Sequence, residues 1–216
     1  MTIKYLGHAC FLLTDASGLR VVVDPYESGG FGGAIGYGAI TDAADIVVVT
    51  HEHADHNYVR GVPGDPEVCR ESCVARGVEF RAIPVAHDEE QGRRRGAVNA
   101  FAFELDGIRI CHVGDLGVLL SPDQVAQAGP LDLLLIPVGG TFTLDADQAW
   151  AVVQQLAPRI IIPMHYRTTK VSLPLAPLER FLGDRTNVTR VGASAWDVSA
   201  DALPSAPRVV VLEPAN

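Results

Sequence analysis

The chain has 216 residues, 48% of them hydrophobic and 20% charged, a balance that fits a folded globular protein and argues against disorder. A formal net charge of -9 works against wrapping a polyanion, so no nucleic-acid partner is expected, although a local basic patch can still hold a small anion. No apolar run reaches the roughly 18 residues a membrane helix needs, so no membrane partner is expected either. Four cysteines are too few for a disulfide framework in a chain this long, which points to a reduced, cytoplasmic setting.

In chain order, MTIKYLGHACFLL lacks the charged start, unbroken apolar stretch and small-residue cleavage site of a leader, and reads as a first strand. The runs TIKYL, ACFLLT, LRVVVD and DIVVVT are short and rich in β-branched residues, with Gly, Asp and Pro at their ends, the pattern of buried strands. YESGGFGGAIGYGAI carries six glycines and few charges and is expected to be a loop, with residues 29 to 38 a candidate lid. PEVCRESCVAR is expected to be helical, with Cys69 and Cys73 as ordinary small apolar side chains rather than half of a zinc site. VNAFAFEL and GIRICHV flank Asp106 and Gly107, a hairpin signal. LDLLLIPVGG is a further strand. In DADQAWAVVQQL, Asp145 is placed to cap a helix whose Ala149, Val152, Val153 and Leu156 form one apolar face. RIIIPMHY is again a buried strand. Strands alternating with helices imply sheets layered under helices, and with no linker or repeat the chain is expected to form one domain over residues 1–216.

Residues 50 to 57 read THEHADHN, which places three of the seven histidines within six positions, interleaved with Glu52 and Asp55, directly after an apolar strand. Imidazole and carboxylate are ligands for first-row divalent ions. Residues two apart in an extended segment face the same side, so His51 and His53 can share one ion, while Asp55 and His56, after the turn at Ala54, can serve a second. His51, Asp115 and His165 each follow an apolar strand, where loops on a rigid sheet gather binding chemistry.

HEHADH resembles the HxHxDH signature of the metallo-β-lactamase superfamily, and IKYLGHACF, LRVVVDP, PVAHD, HVGDLG, LLLIPVGGTFT and IIIPMHY follow in the same order. Within that superfamily the chain is most similar to compact metal-dependent hydrolases grouped with the ascorbate-6-phosphate lactonase type. The resemblance implies a four-layer αββα sandwich of α/β class. It implies a first metal held by His51, His53 and His87, a second held by Asp55, His56 and His165, and Asp115 between them. Two divalent ions are then the expected cofactors, zinc first, with manganese or iron also compatible with the carboxylate-bearing second site.

Two such ions lower the pKa of a shared water toward neutrality, so that neither a serine nor a cysteine nucleophile is required, and no G-x-S-x-G occurs. Asp55 is expected to orient the attacking water, with His165 and Tyr166 near the departing group. His8 matches a family segment near the metals, and Asp24 is expected to orient a ligand histidine. His112, three residues before Asp115 on a strand, is expected in the core. Arg93, Arg94 and Arg95 lie between glycines after His87, and Arg94 and Arg95 are candidates for clamping an anionic group. The expected partner is a small molecule, anionic in one reading, with an ester, lactone or phosphodiester bond. A homo-oligomer is compatible with the sequence. A nuclease, a di-iron redox protein and a non-catalytic metal-binding protein are the competing readings.

Overall fold

The computed structural model describes residues 1–215. The strands of the first half are β1 (Thr2–Gly7), β2 (Cys10–Thr14), β3 (Arg20–Val23), β4 (Ile46–Val48), β5 (Glu67–Cys69), β6 (Cys73–Ala75), β7 (Val78–Ala86) and β8 (Ala97–Leu105). Those of the second half are β9 (Ile108–His112), β10 (Leu133–Pro137), β11 (Ile160–Met164), β12 (Val188–Arg190), β13 (Ala195–Asp197) and β14 (Arg208–Val211). They form a six-stranded sheet in the order β13-β1-β2-β3-β4-β5 and an eight-stranded sheet in the order β12-β14-β11-β10-β9-β8-β7-β6. The expected two-sheet sandwich is observed.

Side-chain alternation builds the space between the sheets. From the first sheet Ile3, Tyr5, Val21, Val23, Ile46 and Val48 point inward to meet Phe101, Ile110 and Leu133 of the second. Leu6, Val22 and Val47, one residue out of phase, point outward into a second apolar cluster with Tyr26, Tyr37 and Ile40. Burial on both faces explains why β3 and β4 read as unbroken Val and Ile runs.

Helices α2 (Pro122–Ala128), α3 (Ala146–Leu156) and α4 (Leu178–Leu182) all lie in the second half, where α2 and α3 pack on β7 and β10. Helix α3 forms as its sequence dictates. The Asp145 carboxylate accepts from the Gln148 amide and the Gln148 side chain reaches back, while Ala149, Val152, Val153 and Leu156 are buried. The alternation of strand and helix expected in the first half does not occur. There the outer face is covered by loops, including one irregular turn, α1 (Gly30–Gly33), in which Phe31 and Gly32 are left-handed. Asp106 and Gly107 both take positive φ, 50° and 73°, and close the β8–β9 hairpin as a primed turn.

PEVCRESCVAR is not helical. Glu67–Cys69 pairs in parallel with β4, and Cys73–Ala75 pairs antiparallel with β7, so tertiary pairing overrides local helix preference. Cys69 and Cys73 form a disulfide, so they are not the free thiols expected, and the compartment argument from unpaired cysteines loses half its support. The bridge joins β5, an edge of the first sheet, to β6, an edge of the second. Cys10 and Cys111 are free and buried. Among the described residues no helix is long and apolar enough to cross a membrane.

By the loop-closure argument, a crosslink over so short a segment contributes about 2 kcal/mol. Replacing both cysteines (C69S with C73S) is expected to lower the unfolding free energy by about that amount in a denaturant titration. An unchanged midpoint would contradict a structural role for the bridge.

Candidate metal centre

The sandwich brings strand ends of both sheets to one edge, and the sequence places a histidine or an aspartate at each. His8 sits in the irregular β1–β2 turn, Asp24 follows β3, His51 follows β4, His87 follows β7, Asp115 follows β9 and His165 follows β11. His8, Asp24 and His165 have left-handed backbones, with φ of 56°, 50° and 52°. Each such conformation costs a non-glycine residue about 1–3 kcal/mol, so surrounding structure must hold it. For His8 and His165 that structure is mutual: the His165 amide donates to the His8 carbonyl at 2.8 Å and the Tyr5 hydroxyl donates to the same carbonyl at 2.8 Å. Two glycines let the backbone close on the site. A Cβ on Gly117 would lie 2.2 Å from the His87 carbonyl oxygen, and one on Gly139 would lie 2.1 Å from that of His165.

Asp115 is at the centre. Its Oδ2 lies 3.3 Å from His56 Nε2, 3.5 Å from His87 Nε2, 3.5 Å from His165 Nε2 and 3.9 Å from His51 Nε2. Around it donor atoms cluster closely enough to hold an ion in two separate sets, His51, His53 and His87, and then His8, Asp55, His56 and His165, and in a third, Asp24, His51 and His56, that overlaps both. The seven sequence-predicted ligands are thus brought together, and His8 joins the second set within ligating range. His51 Nε2 and His53 Nδ1 lie 3.0 Å apart, as an extended segment allows.

Asp24 sets which nitrogen each imidazole presents. It accepts from the Thr50 amide at 2.8 Å, from the Thr50 hydroxyl at 2.7 Å and from His56 Nδ1 at 2.9 Å. Because the Thr50 hydroxyl proton is committed to Asp24, its oxygen accepts from His51 Nδ1 at 2.9 Å. Both His51 and His56 therefore turn Nε2 inward, toward where an ion would be held. Asp24 thus fixes the ring of His56, and Thr50, which the sequence reading passed over, extends its reach to His51. An Asp followed by a Thr at the neighbouring strand end was the available signal.

Burial and charge compete in this site. Burial holds His51 down to about 3 and His165 down to about 4, and also lowers His87. Burial opposes charge on His56 too, but Asp115, Asp55 and Asp24 outweigh it and raise this imidazole well above its ordinary value. Burial would raise the carboxyls of Asp55 and Asp115, yet the histidines around them pull both below the ordinary range. An ionised Asp55 can only accept, so His8 Nε2, 2.9 Å from Asp55 Oδ2, donates to it.

The remaining candidates separate. Arg95 reaches the cavity over the cluster, whereas Arg94 turns away and pairs with Glu90 on the exposed surface, because the loop carries that carboxylate four residues before it. Tyr166 does not line the cavity. It is buried beside Tyr5, with ring centroids 6.4 Å apart, in the core between the sheets. His112 is buried, as expected, and donates from Nε2 to the Ala9 carbonyl at 2.9 Å.

Residues 2–165 match the model of a β-lactamase superfamily domain. A UPF0173 metal-dependent hydrolase of Methanoculleus marisnigri is 30% identical over 193 residues, covering 78% of this chain and 82% of that one. One from Thermococcus onnurineus is 28% identical, covering 86% and 94%. A solved structure from Thermotoga maritima, described as a Zn-dependent hydrolase of the metallo-β-lactamase superfamily, is 33% identical with a TM-score of 0.79 and covers 98% of both chains.

The charge balance fixes a pH profile for the protein stripped of metal. His51, His87 and His165 stay neutral when folded but charge near 6.5 when unfolded, so they make stability fall as pH drops from 6.5 toward 4. His56, with its folded value raised, contributes stability that is present below 6.5 and lost as pH climbs through that raised value. Denaturant titrations of the metal-free protein are expected to show a maximum near neutrality. Stability flat from pH 4 to 9 would contradict this assignment.

With the fold, the carboxylate-centred histidine cluster and relatives spanning most of the chain in agreement, the chain belongs to the metallo-β-lactamase superfamily.

Proposed function

We propose that the chain is a metal-dependent hydrolase with a dinuclear centre that cleaves a small ester, lactone or phosphodiester. The observation that supports it is Asp115 Oδ2 standing within 3.3 to 3.9 Å of four imidazole Nε2 atoms drawn from both donor sets. The residues fit divalent ions by their own chemistry. His56 Nε2 and Asp115 Oδ1 are buried with no hydrogen-bond partner, both on ligand atoms of the cluster. His51, His53 and His87 would hold one ion, Asp55, His56 and His165 the other, and Asp115 would face both.

Divalent ions bound there acidify a water and polarise the bond it attacks. The chain does the rest. Asp55, fixed by His8, would orient the attacking water with the oxygen not engaged by His8. His165, which lines the cavity with Nε2 3.5 Å from Asp115 Oδ2, would stand beside the departing group. The description of the Thermotoga maritima neighbour favours zinc, and the carboxylates in the second set also accept manganese or iron. The net charge of -9 favours a small lactone or ester over a nucleic acid, in keeping with the resemblance to the lactonase type read in the sequence. A cytoplasmic, single-domain enzyme acting on a small molecule is the reading we adopt.

Zinc-, manganese- and iron-reconstituted protein screened against esters, lactones and phosphodiesters tests the reaction class. Asp55→Asn is expected to lower kcat about 100-fold or more on any substrate found while keeping the fold. Asp24→Asn, which removes the Nδ1 acceptor of His56, is expected to weaken metal binding about 10- to 100-fold in a chelator competition. Full turnover by Asp55→Asn would remove its proposed role, and inactivity of all three metal forms on every class would count against a hydrolase.

A further inference from the structure

The cavity above the cluster has a volume of about 330 Å³. It is lined by His53, Asp55, His87, Asp115 and His165 of the cluster and by the apolar Phe31, Phe142 and Leu173, and among the described residues Arg95 is the one arginine or lysine that lines it. Such a site, polar at the base and apolar at the sides, is more selective than the family chemistry alone requires.

Arg95 is built into its place. Asp88 collects the backbone amides of Glu90, Gly92, Arg94 and Arg95, with the Arg95 bond at 2.8 Å, which folds the arginine loop around a buried carboxylate. The Arg95 guanidinium then donates to the carbonyls of Phe142 at 3.3 Å and Thr141 at 2.9 Å and lies 5.4 Å from the Phe142 ring centroid. Arg93 and Arg94 are paired with Glu90, whereas among the described residues no carboxylate lies within 4.0 Å of Arg95. A guanidinium has five donors, so the two carbonyl bonds leave part of its fork unused at the cavity wall.

Phe31 faces it from the glycine-rich loop and is 54% exposed, an unusual position for a large apolar ring. The base of that loop is fixed. Ile35 bridges to Val171, the Gly36 amide donates to the Lys170 carbonyl at 2.7 Å, and a Cβ on Gly36 would sit 2.9 Å from that oxygen. The tip carries an aromatic ring among glycines and lines a cavity that Phe142 also lines.

We propose that this cavity takes a small substrate with an apolar body and a terminal oxyanion, the body between Phe31 and Phe142 and the oxyanion on Arg95, so that Arg95 and Phe31 determine specificity. The inference rests on the hydrolase reading above, because it names the substrate class of that site. Carboxylate and phosphate share the chemistry that a guanidinium fork recognises.

Calorimetric titration of the zinc-loaded protein with 4-phenylbutyrate, 3-phenylpropyl phosphate and the neutral 4-phenylbutyramide tests it without turnover. One of the two anions is expected to bind about tenfold or more tightly than the amide, and the tighter one identifies the oxyanion. Arg95→Gln is expected to erase that preference while leaving the amide within about twofold, and Phe31→Ala to weaken all three about fivefold. Equal binding of anions and amide, absence of binding, or a preference that survives Arg95→Gln would overturn the inference, since a carboxylate sitting only on the metals would not need Arg95. Hydrolysis of p-nitrophenyl valerate by the same zinc-loaded protein separates the two readings. Turnover with Arg95-independent binding overturns this inference alone, and Arg95-dependent binding without hydrolysis of any ester, lactone or phosphodiester overturns the hydrolase reading alone.

Discussion

A carboxylate buried among four imidazoles is the constraint around which this molecule is arranged. Asp115 is 3% exposed, and in isolation burial would favour its neutral form. The histidines drawn from the ends of three strands reverse that preference, and the same convergence sets ring nitrogens at about hydrogen-bond distance from one another and from the carboxylate. An arrangement of this kind is costly unless cations or protons fill it. The raised proton affinity of His56 is the protein's own partial compensation when metal is absent.

Precision at that edge comes from the sheets behind it. β3 and β4 are buried on both faces, so neither can shift register without exposing a row of Val and Ile side chains. They deliver Asp24 and Thr50 side by side, and these two residues fix the ring orientations of His51 and His56 before any ion arrives. Gly117 and Gly139 serve the second sheet in a comparable way, letting loops press on the carbonyls of His87 and His165 where any side chain would collide. The left-handed backbones of His8, Asp24 and His165 are tolerable because each is overdetermined by such contacts.

Much of this was legible in the sequence, for physical reasons that also explain the gaps. The strands with continuous β-branched runs and the capped helix Ala146–Leu156 were readable because periodicity and capping are local properties. The ligand set was readable because metal chemistry restricts residue types and the order of motifs along the chain carried the rest. Residues 67–75 misled because a three-residue strand has too few positions to show alternation, and its conformation is decided by β4 and β7, which are distant in sequence. The disulfide between Cys69 and Cys73 follows from that same pairing. Arg94 and Arg95 are adjacent in sequence and equivalent by composition. Only the fold of the loop around Asp88 sends one to the cavity and the other to Glu90.

The loops that surround the cluster are of a different character from the cluster itself. The base stands at the strand ends, while Phe31, Arg95 and Phe142 stand on segments outside the strands. The central claim concerns the base, namely two ions sharing Asp115. Anomalous diffraction from crystals grown with zinc measures it directly. The account predicts two peaks about 3.5–4 Å apart, one among His51, His53 and His87 and one among Asp55, His56 and His165, with Asp115 Oδ2 between them. A single peak, or zinc bound elsewhere with the imidazoles unengaged, would contradict it.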